Sequence, residues 1–89
     1  MRTLQAFQLP LELVTFTLPI PRSAHILGIY ETEGLVAWAV FDSGKKGETV
    51  FHAFRDGDEV PDNLEFVASG QRRNGIVVML FRDKGKAPA

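Results

Sequence analysis

The run Leu35-Val36-Ala37-Trp38-Ala39-Val40-Phe41 constrains this chain more than any other segment. It is seven apolar residues long, rich in β-branched and aromatic side chains, and closed by Gly34 before it and Asp42-Ser43-Gly44 after it. Val36, Ala37, Val40 and Phe41 could line a helix, but the run is short and its flanks are breakers, so a strand is predicted. Apolar on both faces, it belongs at the centre of a sheet. Upstream, Pro19 and Pro21 bound a second β-patterned run, Ala24–Tyr30, with Ile26 and Tyr30 on one face and His25, Leu27 and Ile29 on the other. Glu31-Thr32-Glu33-Gly34 supplies the turn between the two runs.

Five more short segments follow the same logic. Arg2–Leu9 is a weak strand closed by Pro10, and Leu13–Leu18 alternates at period 2. Asp42 to Gly47 reads as a hairpin loop, so Glu48–Arg55 is expected to pair back on Leu35–Phe41. Leu64–Ser69 and Ile76–Arg82 form a hairpin around the strong turn dipeptide Asn74-Gly75. Six apolar residues in a row, Ile76 to Phe81, predict a strand covered on both faces, by its own domain or by another subunit. Seven short strands with turn signals about every ten residues predict an all-β fold, a small antiparallel sandwich or barrel. Its expected core is Phe16, Ile26, Trp38, Val40, Phe54, Phe66, Val78 and Leu80.

Length and composition set the outer bounds. Eighty-nine residues make one domain, read as 1–83 with a solvated tail at 84–89, and roughly 64% of the unfolded surface can be buried. A net charge of −1 gives no general pull towards nucleic acid. The absence of cysteine removes disulfides and thiolate metal sites and fits a reducing cytoplasm. No apolar stretch reaches the length that spans a bilayer, and no signal-peptide pattern opens the chain, so a soluble cytoplasmic protein without cofactor is expected.

Pro21-Arg22-Ser23-Ala24-His25-Ile26-Leu27-Gly28-Ile29 resembles the Pro-Lys-Gly-Ala-Lys-Ile-Leu-Ser-Val segment of a family of small uncharacterised phage proteins. Leu35 to Asp42 is similar to that family's Leu-Trp-Ala-Leu-Val-Asp strand, and the likeness runs over residues 12–82. The chain departs from the family near Phe54 to Pro61, where only Gly57 and Pro61 match a Gly-Thr-Gly-His-Pro element, and at Val78-Met79, which replace a Trp-His pair. The resemblance implies a phage origin and a β-rich fold.

Candidate functional residues are few. His52 could act as a general base near Asp42 across the expected hairpin, but no nucleophile is implied beside it, and a half-buried strand histidine is the simpler reading. His25 and His52 are too far apart in sequence to mark a metal site. The acidic stretch Asp56, Asp58, Glu59 and Asp62 lacks the ordered ligands of a calcium loop and reads as a connector or an acidic recognition surface. Lys45, Lys46, Arg72 and Arg73 sit at expected hairpin tips; with Arg55 they could hold a phosphate-bearing ligand if the tips share one end of the fold. The expected function is therefore non-enzymatic. In the leading reading the chain binds a host protein stoichiometrically through Asp56, Asp58, Glu59 and Asp62, as an inhibitor of a defence or transcription factor would. The alternatives are an oligomeric nucleotide binder using Lys45, Lys46, Arg55, Arg72 and Arg73, and a virion accessory protein. Self-association, most simply as a dimer through Ile76–Phe81 or its edge, is expected.

Overall fold

The computed structural model describes residues 1–10, 12 and 14–84. Seven strands, β1 (Arg2–Gln8), β2 (Thr15–Leu18), β3 (His25–Glu31), β4 (Leu35–Asp42), β5 (Thr49–Phe54), β6 (Leu64–Gln71) and β7 (Val77–Asp83), form one sheet in the order β1-β4-β3-β6-β7-β5-β2. The sheet curls into a half-barrel, so the all-β reading stands. Every neighbouring pair is antiparallel except β3–β6, which is parallel and registered at one pair, Ile29 opposite Gly70. The tail expected at 84–89 falls outside the described residues after Lys84, whose N–H donates to the Asn63 carbonyl at 2.9 Å. Leu13, expected to open the second strand, also lies outside them.

The concave face carries the core. Phe16 and Leu18 on β2, Ile29 on β3, Ala37 and Ala39 on β4, Phe51 on β5, Ala68 on β6 and Val78 and Leu80 on β7 are all buried there in one cluster. Two crossing segments close the half-barrel. Leu9 follows β1 into the core, and Ile20 and Ala24 enter from the link between β2 and β3. The buried Thr49 hydroxyl donates to the Ile20 carbonyl at 2.9 Å, tying that link to β5. An added Cβ at Gly47 would lie 3.2 Å from Pro21 Cα, so the β4–β5 link runs against the same segment.

Four sequence expectations fail, each for a physical reason. β4 and β5 are not a hairpin: β4 lies between β1 and β3, and β5 between β7 and β2. A six-residue polar loop fits a crossover around a tightly curled sheet as well as it fits a hairpin, and local turn signals do not distinguish them. Of the expected core, Trp38 and Phe66 lie 39% and 56% exposed on the convex face, and Val40 and Phe54 are half-buried on that face outside the core cluster. Since β4 is apolar on both faces, alternation alone does not choose the inner one; the curl leaves room inside for Ala37 and Ala39 and turns Val36, Trp38 and Val40 outward. A bulge at Leu27 places Ile26 and Ile29 on the concave side together and sends Tyr30 to the convex one. Finally, β7 has a neighbour on each side, so its edge is unavailable for pairing; its own domain covers only one of its faces, leaving the convex residues Val77 and Met79 44% and 43% exposed.

Candidate protein-docking surface

The convex face of β5, β6 and β7 gathers aromatic side chains. The Phe81 ring meets Phe54 and Phe66 edge-to-face, with centroids 5.4 and 5.8 Å apart. Direct cross-strand pairing explains the cluster, since Phe66 and His52 both sit opposite Phe81, and Phe54 sits opposite Met79. β5 ends at the opposite end of the sheet from the start of β6, so the connector between them must run the length of this face. Its first turn is fixed locally. Gly57 takes φ +92°, the Asp58 N–H donates to the Arg55 carbonyl at 3.0 Å, and the Asp58 carboxylate accepts the Arg55 N–H at 2.8 Å.

Two hollows lie where this connector crosses the strands. One, of about 270 Å³, is walled by Phe54, Val60, Val77, Met79 and Phe81, with Asp56 and Asp58 on its acidic side and Arg55 at its end. The other, of about 350 Å³, holds His52, Thr15, Pro61, Leu64, Glu59 and Asp83. Of the four expected acidic residues, Asp56 and Asp58 therefore border the apolar hollow and Glu59 the second, mixed one; Asp62 is exposed on the connector without lining either. The convergence of this acidic stretch with Met79 and Phe81 was not legible from sequence, because it depends on the crossover path.

His52 is half-buried in its strand, and its Nδ1 lies 3.3 Å from the Thr15 hydroxyl. Asp42, its expected partner, is on β4, remote in strand order; its carboxylate accepts the Gly44 N–H at 2.9 Å, which holds it below the usual carboxylate range, with the N-terminal ammonium beside it acting the same way. Thr15, Glu59, Asn63 and Asp83 are the polar residues that share the hollow of His52 instead. Among the described residues, no group of three or more His, Asp or Glu side chains is placed to hold a metal ion. Among the described residues, no helix is long and apolar enough to cross a membrane.

The basic residues divide. The β3–β4 register puts Glu31 and Asp42 at opposite ends of the sheet. Arg72 and Arg73 are held at the Glu31 end, and Lys45, whose N–H donates to the Asp42 carbonyl, lies at the other with Lys46 beside it in sequence. The two expected tips thus do not converge. Arg55 and Arg72 do share a third hollow, of about 270 Å³, with Glu12, Val14, Ala53, Ile76 and Val78. Arg72 is already committed, its guanidinium 3.1 Å from the Glu31 carboxylate, and Glu12 supplies a second negative charge. The Arg73 N–H donates to the same Glu31 carboxylate at 2.6 Å, and this bond, more than the Arg72 charge, holds Glu31 below its usual range. With two acids beside two arginines, the hollow has no clear excess of positive charge for a phosphate.

No family model, no curated protein and no solved structure compared with this chain matches it.

Proposed function

We propose that this chain is a binding protein that docks a second protein on the convex face of β5–β7. One observation carries the reading: an apolar hollow walled by Phe54, Met79 and Phe81 opens beside Asp56 and Asp58 on one connector. Such a site suits an apolar anchor side chain flanked by lysine or arginine, with the burial supplying affinity and the acidic rim guiding encounter. The likeness to small phage proteins supports a host protein as the partner, bound stoichiometrically, with inhibition of a defence or transcription factor as the effect.

The test is capture from a bacterial lysate by the immobilised chain, run beside two variants. Met79→Lys places a charge in the hollow at an already exposed position, and Asp56→Lys with Glu59→Lys reverses one acid at its rim and an exposed acid further along the connector. One host polypeptide should be retained near one-to-one by the wild type, be lost with Met79→Lys, and be retained more weakly and with less salt sensitivity by the rim variant. Equal retention of that polypeptide by wild type and Met79→Lys would sink the proposal.

A further inference from the structure

The half-barrel has two edges, β1 and β2, and they are protected very differently. β2 is four residues long and is stopped by Pro19. β1 is seven residues long, contains no proline, lysine or bulge, and among the described residues bonds along one side only, to β4. Its other side, unpaired among the described residues, presents main-chain N–H and C=O groups to any strand that approaches. The side chains do not repel one either. Leu4 is 57% exposed on the convex side, Phe7 is half-buried on the concave side against Phe41, and Arg2 is the only charge.

From this edge we infer that β1 is a self-pairing surface, at which a second copy of the chain adds its own β1 antiparallel to form one continuous sheet across a two-fold axis. An antiparallel edge is complementary to itself under that symmetry. The register that pairs all seven residues sets the axis at Gln5. Leu4 then meets Ala6 of the partner subunit, Thr3 meets Phe7 of the partner subunit, and Arg2 meets Gln8 of the partner subunit and so avoids its own copy. The convex apolar strip of Leu4, Val40 and Trp38 continues across the axis, adding side-chain burial to the main-chain bonds. Edge and strip together make a small interface, below the roughly 800 Å² per partner of a standard one, so assembly belongs at micromolar concentrations or above.

Gln5 provides the test because it is exposed and meets its own copy at the axis. By light scattering at high micromolar concentration, the wild type should give twice the chain mass. Gln5→Lys and Gln5→Glu should each give the single mass, with unchanged circular dichroism and a dissociation constant at least tenfold weaker. Mixing the two variants should restore the double mass as a heterodimer, an effect that misfolding of either variant cannot mimic. A monomeric wild type overturns the inference, as does a Gln5→Lys variant that assembles as well as the wild type. Wild-type edges that pair only with strands of other proteins overturn it too.

Discussion

Gly28 falls inside the expected strand Ala24–Tyr30 and Gly70 just beyond the expected end of Leu64–Ser69, yet both lie within strands of the fold, which uses them differently. A Cβ on Gly70 would sit 2.5 Å from Ile29 Cβ and 2.6 Å from the Ile29 carbonyl oxygen, at the one registered pair of the parallel junction. Neither atom can move without moving β3, so Gly70→Ala should destabilise by about 3 kcal/mol. The three atoms nearest a Cβ on Gly28 all belong to the Tyr30 side chain, from 2.8 Å, and Tyr30 is 57% exposed and free to swing. Gly28→Ala should therefore stay within about 1 kcal/mol of wild type, because side-chain packing and not backbone strain decides it. Denaturant midpoints for the two variants check the contrast, and similar losses would refute it. Trp38 is the residue at which sequence reading went furthest astray. With its ring more than a third exposed, Trp38→Ala should cost about 1–3 kcal/mol, less than the 3–5 kcal/mol expected of a fully buried ring. Native emission should lie between the buried and fully solvated positions, and a fully buried spectrum would contradict the outward placement.

At the scale of elements, all seven strands were legible, most of them to within one or two residues, because period-2 runs and Gly, Pro and Asn-Gly punctuation are local signals. The β3–β4 and β6–β7 hairpins were legible for the same reason. Strand order was not, since β3 beside β6 joins segments far apart in sequence through a single registered pair. That seam is clamped by charge at both ends. At one end Glu31 holds the Arg73 N–H and the Arg72 guanidinium; at the other, Glu65 accepts from Arg22 and Arg82 at 3.2 and 3.0 Å, while Arg82 donates to the Arg22 and Ala24 carbonyls. The sequence showed these residues as scattered charges, and only the parallel crossover makes clamps of them. Because folding lowers the Glu31 carboxyl below its ordinary value of 4.5, its contribution is complete above that pH and fades as pH falls through the lower folded value. Glu31→Gln should thus be less stable than wild type near neutrality, and the gap should close in acid. Thermal melts at a series of pH values measure this, and a gap that persists unchanged at the acid end would show that the clamp acts by shape and not by charge.

For the whole molecule, the narrow seam raises the question of whether β1-β4-β3 and β6-β7-β5-β2 unfold separately. The core argues against it. Ile29, Ala37 and Ala39 from one half lie in the same buried cluster as Phe51, Val78 and Leu80 from the other, and Leu9, Ile20 and Ala24 enter that cluster from segments linking the strands. Removing either half would strip the concave face of the other, and a three-stranded remnant of this size keeps too little buried area to stand alone. Unfolding should therefore be a single transition. The chain offers a direct check, because its one tryptophan sits on β4 while the fully buried Leu80 sits on β7, in the opposite half. Leu80→Ala should cost about 2–5 kcal/mol, a large share of the roughly 5–15 kcal/mol that holds a domain together. If the core couples the halves, that variant shifts the Trp38 fluorescence midpoint and the circular dichroism midpoint to the same lower denaturant concentration. If Trp38 keeps its wild-type midpoint while the dichroism transition splits in two, the seam is a true boundary and the half-barrel is two cooperative units.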